Sequence, residues 1–344
     1  MIFKKHAIAQ RILLVCGFIV INAVDKQCKE PILVLSNRIL TNEVLPQRFR
    51  TMQDKVQKEK GIAVSTVGLK RMKASGSSEM TPANLTNVIA NIRTRSVKKI
   101  TIVDLRLESH SWINGLPYYW LASPDHLFQF GVDCYNQGKT VTQIEKDEMA
   151  RAAKLMESCQ ATVFDFSKGH YPFVPTAQAK SIAIENAVLT EKDLVMLAGV
   201  EYLRLPISDD SAPSWHIIDR LVNYFRSHPD NWLHVHCNEG HGRTTTVLAM
   251  IDMLYNAKNV DFNSIILRQK LIGVGGADLF NFDSSGSRAH DEFVYRLELL
   301  NNFYRYCKEN KDNFVTPFSV WAAQLGLTEE RISTHPQIEK QQEI

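Results

Sequence analysis

Apolar positions along this chain fall alternately into stretches with a helical period and short unbroken runs. Pro82 follows Thr81, and Leu85, Val88, Ile89 and Ile92 recur three and four residues apart. That spacing predicts a helix with Thr81 as N-cap and Pro82 in its first turn. Residues 99–105 (KITIVDL) form a β-branched run of buried-strand length. Past residue 190 the pattern predicts a helix over 191–198, a strand over 201–205 and an amphipathic helix over 215–227. A strand over 232–236 (WLHVH) and an apolar helix over 244–255 follow. Ile217, Ile218, Leu221, Val222 and Phe225 share one side of the 215–227 helix. A further helix over 291–308 carries Phe293, Leu297, Leu300 and Phe303. Such alternation predicts an α/β core, a central sheet flanked by helices.

The middle of the chain breaks that rhythm. Trp112, Tyr118, Tyr119 and Trp120 lie among Gly and Pro, and 145–159 reads as a helix. Short strands are expected over 161–166 (ATVFDF) and 180–184, separated by Gly169 and Pro172. Residues 31–50 read as extended, with an irregular connection at 45–50. The expected organisation is a small β-rich, barrel-like inserted domain from 31–56 and 107–188, and a core from 57–106 and 189–312. Residues 313–344 are expected to hold a C-terminal helix and a polar tail.

The first residues differ in kind. Lys4, Lys5 and Arg11 precede an apolar run over 12–21, followed by Asn22 and Ala23. This is the pattern of a signal peptide over 1–23. The run is roughly half of the ~20 residues that cross a bilayer, which disfavours a permanent anchor. Removing 1–23 takes the formal net charge from +3 to zero. Nothing then attracts nucleic acid or a membrane surface at long range, so neither is an expected partner. A polyanion must be held by locally concentrated charge. The six cysteines form no paired CxxC sites, which argues against structural zinc. Cys28, Cys134, Cys159 and Cys307 are read either as two disulfides or as free thiols.

The chemistry is concentrated in His236-Cys237-Asn238-Glu239-Gly240-His241-Gly242-Arg243-Thr244, between a predicted strand and a predicted helix. Backbone N–H groups of such a loop and of the first helical turn converge on a concavity that suits a phosphate. Gly240 and Gly242 permit a curled backbone and close approach of the anion. Cys237 lies among these donors and the positive helix end, which favours its thiolate. Arg243, six positions on, can direct two hydrogen bonds onto phosphate oxygens. Thr244 places a hydroxyl where it can donate to the sulfur. Upstream, Asp209 lies on the loop Ser208-Asp209-Asp210-Ser211-Ala212-Pro213, 28 residues before Cys237, and is the candidate general acid, with Asp210 second.

The loop resembles the His-Cys-x5-Arg-Ser/Thr signature of the protein tyrosine phosphatase superfamily. Residues 104–110 (DLRLESH), Tyr202-Leu203-Arg204 leading into Asp209, residues 232–246, Arg268-Gln269, residues 303–306 (FYRY) and 316–321 (TPFSVW) are together similar to the cysteine phytases. These are protein-tyrosine-phosphatase-like myo-inositol polyphosphatases. The resemblance covers roughly residues 45–321. It implies a phosphatase core with a small β-barrel domain, and stepwise hydrolysis of myo-inositol hexakisphosphate with no metal or other cofactor. Position by position, it places the nucleophile on Cys237, the phosphate-binding arginine on Arg243 and the general acid on Asp209. Asn238, Glu239, Gly240, His241 and Gly242 then line the substrate, with Arg48 and Arg50 as further basic residues near the pocket. Two carboxylates depart from the family pattern, Asp210 beside the acid and Glu239 in the loop. The span 272–288 has Arg288 as its only cation. Asp104 and Arg106 are expected to pair with each other, and Gln269 to sit on a helix surface.

The loop alone leaves two rivals open: a protein tyrosine or phosphoinositide phosphatase, and a catalytically silent phosphate-binding effector. The signal peptide predicts a periplasmic or secreted protein, with delivery into a host cell as the alternative.

Overall fold

The computed structural model describes residues 31–36, 44–95, 97, 99–122, 133–164, 179–280 and 287–329. The expected signal peptide, Cys16, Cys28 and the tail beyond residue 329 lie outside them, as do 165–178 of the β-rich stretch. In chain order the strands are β1 (Ile32–Leu35), β2 (Arg50–Thr51), β3 (Ala74–Ser77), β4 (Ile100–Arg106), β5 (His110–Ile113) and β6 (Leu116–Leu121). They continue with β7 (Gln160–Phe164), β8 (Ala179–Ala183), β9 (Leu189–Thr190), β10 (Glu201–Ile207) and β11 (Trp232–His236). The helices are α1 (Pro82–Arg93), α2 (Val141–Ser158), α3 (Glu191–Leu197) and α4 (Trp215–Ser227). After them come α5 (Gly242–Asn256), α6 (Phe262–Leu271), α7 (Ser287–Glu309) and α8 (Phe318–Gln324).

One sheet has the order β10-β4-β11-β3-β2, parallel except for β2. Every residue of β4 and β11 is buried, as expected of a parallel sheet covered on both faces. Val103, Leu105, Leu205, Leu233 and Val235 pack with Ile218, Leu221, Leu248, Ile251 and Phe303 into the largest core. The mixed α/β class read from the sequence is the one observed. α1 begins at Pro82 with a capping box between Thr81 and Asn84, which satisfies backbone donors at the helix start.

β3 escaped the sequence pattern because it reads Ala-Ser-Gly-Ser. Its small residues let α5 come close: a Cβ on Gly76 would lie 2.7 Å from Thr244 Cγ2. Its serines also serve β11, since the Trp232 indole donates to Ser75 Oγ at 2.8 Å and His234 Nδ1 lies 2.9 Å from the same oxygen.

The second sheet runs β8-β7-β1-β6-β5-β9. It is an open sequence of pairings among the described residues, not a closed barrel. The 107–188 stretch that looked irregular contains its β5–β6 hairpin. Aromatic residues read there without a pattern, Trp112, Tyr118 and Trp120, are buried in or beside its core. Trp112 Nε1 donates to Met80 O, tying this sheet to the segment before α1. Cys159 and Cys307 are free thiols and Cys134 is disulfide-bonded, so two disulfides among the four candidate cysteines are not formed. Among the described residues no helix is long and apolar enough to cross a membrane.

Candidate active site

β11, the central strand, ends at His236, and α5 starts at Gly242; the five residues between them form the loop. Cys237 is buried at its base, and Thr244 Oγ1 donates to its sulfur at 3.2 Å. The carbonyls of the loop are drawn outward one after another. Asn238 O accepts from Glu79 N, Glu239 O from Arg48 Nη1 and Gly240 O from Arg50 Nη1. His241 O accepts from Thr245 N and Oγ1, and Gly242 O from Thr246 Oγ1. In a planar trans peptide the N–H points opposite the C=O. With those carbonyls held outside, the N–H groups of residues 239–243 face the concavity, an anion-binding arrangement at a helix N-terminus. Gly240 has φ +71°, and a Cβ there would lie 2.3 Å from the backbone of Ser77 and Ser78. A Cβ on Gly242 would meet only Arg296 Nη1 at 3.7 Å, so the steric requirement for glycine falls on Gly240.

Arg243 is buried and held by a carboxylate that sequence reading did not single out. Nη1 donates to Glu108 Oε2 at 2.8 Å and Nη2 to Glu108 Oε1 at 3.0 Å, while Ile207 O accepts a third bond. Burial works against the charge of Glu108, but Arg243 and Arg106 outweigh it and hold this carboxyl far below the usual range. Asp209 Oδ1 lies 2.7 Å from Arg243 Nη2, and the Asp209 side chain is 44% exposed at the mouth of the site. Desolvation in the cleft raises its carboxyl, Arg243 opposes, and Glu108, Asp210 and Asp133 add to the rise, to about 6. Asp133, also unrecognised in the sequence, accepts from Ser208 Oγ and Asp209 N, both at 3.0 Å, and so fixes the loop that carries Asp209.

The family model for PTP-like phytases, described by inositol hexakisphosphate, matches residues 103–255. The chain is 30% identical to the tandemly repeated PTP-like phytase of Mitsuokella multacida, with a TM-score of 0.75 over 89% of this chain and 50% of that one. The chain is thus similar to the PTP-like phytases in both sequence and fold. A PTP-like phytase from Bdellovibrio bacteriovorus shares the fold at 23% identity, with a TM-score of 0.60 over 87% of this chain and 96% of that one. Among curated proteins, effector protein hopD2 of Pseudomonas syringae pv. tomato is 30% identical over 66% of this chain. The chain spans about half the length of these first two relatives, 50% of the Mitsuokella protein and 47% of hopD2.

The sequence-predicted residues Cys237, Arg243, Thr244 and Asp209 are brought together through the Thr244–Cys237 and Asp209–Arg243 contacts. Arg48 and Arg50, expected as basic residues near the pocket, both bond to loop carbonyls but sit in different places. Arg50 is buried behind the loop, bonded to Gly240 O, Thr245 Oγ1 and Arg48 O. Burial lowers its guanidinium to about 10 despite the nearby Cys237 sulfur. Arg48 remains at the rim, 3.7 Å from the half-exposed Glu239 carboxylate. Gln269 is buried rather than on a surface, donating to Asp252, which also pairs with Arg268. Asp104 accepts from the backbone N–H of Arg106, but the Arg106 guanidinium pairs with Glu79 and Glu108.

Beneath the loop lies a buried charge network. Arg204 pairs with Glu148 and Asp104, and Glu191 bridges His110 and His236 at 2.7 and 2.8 Å. Burial lowers His236, but Glu191 overrides it and lifts the imidazole to about 9. Asp104, His110 and Glu191 bring potential metal-ligand atoms within 4.8 Å of one another. Arg204, Tyr202 and His236 already supply cations and donors to those carboxylates, so this donor set fits an internal salt-bridge network better than a metal ion.

Proposed function

We propose that this protein is a metal-independent phosphomonoester hydrolase working through a phosphocysteine at Cys237, with inositol phosphates as substrates. The observation that carries the reading is the convergence of the Cys237 sulfur, the Thr244 hydroxyl, the Arg243 guanidinium and the Asp209 carboxyl on one loop. The loop N–H groups and Arg243 bind the phosphate oxygens, which stabilises the charge spread over them during transfer. The phosphate takes over the Arg243 donor that faces Asp209, and Glu108 keeps the guanidinium in its plane. The Cys237 thiolate attacks phosphorus, the P–O bond to the leaving group breaks, and protonated Asp209 gives its proton to that oxygen. Water then attacks the phosphocysteine, its proton passes to Asp209, and the thiolate leaves with the Thr244 hydroxyl bonded to it. Asn238, Glu239, Gly240, His241 and Gly242 form the rest of the phosphate cradle. No metal is needed, since the arginine and the backbone donors supply the positive field.

The substrate most consistent with the family is myo-inositol hexakisphosphate, losing phosphates stepwise. A related structure holds the Mitsuokella PTP-like myo-inositol phosphatase with myo-inositol-(1,3,4,5)-tetrakisphosphate, at 30% identity to this chain. Similarity to an effector protein favours a second reading, a phosphatase or phosphate-binding effector acting inside a host cell instead of in the periplasm or exterior. The carboxylates of Asp210 and Glu239 beside the pocket also suit a less charged substrate than a hexakisphosphate. Purified protein should be given inositol hexakisphosphate, a phosphotyrosine peptide and a phosphoinositide in parallel. Fastest release from the inositol phosphate, with lower inositol phosphates as products, supports the first reading. Preference for either other substrate supports the second, and no release from any of them overturns the enzymatic account.

A further inference from the structure

The loop that carries Asp209 makes a tight turn, closed by Ser211 N donating to Ser208 O at 3.1 Å. Asp210, inside that turn, has φ +57°. Aspartate enters this left-handed region more readily than most residues with a side chain, and the conformation persists where the surroundings fix it. Here Asp133 holds one side of the turn through Ser208 and Asp209. The opposite side is held by Arg296, whose Nη2 donates to Asp210 O at 2.6 Å.

Arg296 reaches this point from α7, a helix remote in sequence from both the cysteine loop and the acid loop. It is only 7% exposed, and its Nη1 would stand 3.7 Å from a Cβ on Gly242, at the start of α5. The side chain therefore lies in the seam between the loop that binds phosphate and the loop that donates the proton. Burying a guanidinium is unfavourable unless it is paired. Burial lowers its guanidinium from the usual range; Asp210, Glu292 (four residues earlier on the same helix) and Asp209 oppose that shift, while Arg243 adds to it.

We propose that Arg296 is a positioning residue that clamps the acid loop against the phosphate-binding loop, so that the Asp209 carboxyl meets the leaving-group oxygen. This deepens the phosphatase reading above and rests on it. Arg296 acts through the Asp210 carbonyl and does not itself touch the reacting atoms.

Leaving-group chemistry tests this directly. A nitrophenolate departs without a proton, whereas an inositol alkoxide requires one. Turnover of para-nitrophenyl phosphate and of an inositol phosphate should be compared for wild type, Arg296→Met, Arg296→Lys and Asp209→Asn. Arg296→Met is expected to lose about 10²-fold on the inositol phosphate, the order of a misplaced general acid. On the aryl phosphate it should change by less than about threefold, since no proton transfer is required there. Arg296→Lys should recover part of the loss. Adding Arg296→Met to Asp209→Asn should cause no further drop on the inositol phosphate. Equal losses on both substrates, no loss on either, or full additivity with Asp209→Asn would overturn the proposal. If Arg296→Met does not fold, Arg296→Lys carries the same two-substrate comparison with a smaller expected loss. A wild type inert toward both substrates would instead sink the phosphatase reading itself.

Discussion

Glu108 grips Arg243 through both carboxylate oxygens, at 2.8 and 3.0 Å, in the buried floor of the site. The pairing leaves the guanidinium little rotational freedom. Its plane is set before any phosphate arrives, which is the preorganisation that electrostatic catalysis requires. Glu108→Gln removes the charge but retains the shape. Breaking one side of a buried ion pair costs about 3–5 kcal/mol. The variant should therefore unfold at lower denaturant and bind phosphate more weakly, both read in one set of unfolding curves with and without inorganic phosphate. Unchanged stability and phosphate protection would show that the pairing contributes neither.

The hydroxyl of Thr244 donates to the Cys237 sulfur at 3.2 Å. A hydrogen bond to a charged group contributes about 1.5–3 kcal/mol. In the proposed mechanism that bond weakens in the first step as the sulfur attacks, and in the second it stabilises the departing thiolate. Thr244→Val should slow breakdown of the phosphocysteine by roughly ten- to a hundredfold, the equivalent of that energy. Rapid mixing with para-nitrophenyl phosphate should then show a burst of nitrophenol followed by a slow steady state. Steady-state slowing without a burst would place the hydroxyl in the first step instead.

Asp209 is raised from its usual range to about 6, chiefly by desolvation. A general acid must begin protonated, and a raised carboxyl keeps its proton up to that pH. Turnover of inositol phosphates should fall as pH rises through about 6, giving a mildly acidic optimum. Asp209→Asn should lower the plateau and remove that limb. A wild-type rate still climbing beyond neutrality would contradict the assignment.

His236, lifted from 6.5 to about 9 by Glu191, makes a different pH prediction. A group that binds its proton more tightly when folded stabilises the fold fully below its unfolded value and loses that contribution as pH rises through the folded one. Denaturant stability should therefore decline between pH 6.5 and about 9, and Glu191→Gln should flatten the decline. An equally steep slope in the variant would assign the effect elsewhere.

What could be read from the chain follows from how each feature is encoded. The amphipathic helix over 215–227 and the strand over 232–236 occur with the expected boundaries, because burial imposes its period directly on their residues. The cysteine loop was legible because its parts are contiguous. β3 was not, since Ala74–Ser77 carries no apolar signal and is explained only by the close approach of α5. Glu108 and Asp133 were likewise hidden: their partners Arg243, Ser208 and Asp209 lie far away in sequence, and no local period marks a charge that is buried because another is. The support that Arg50 gives the loop from behind was hidden for the same reason. An arginine in an irregular segment reads as solvated until the loop carbonyl it supports is seen.

The most direct test of the proposed mechanism is to quench the protein during incubation with substrate and search its peptides for a covalently bound phosphoryl group. The account predicts that group on Cys237, enriched in Thr244→Val, with no turnover in Cys237→Ser. Phosphate release by Cys237→Ser, or phosphorylation of another side chain during turnover, would contradict it.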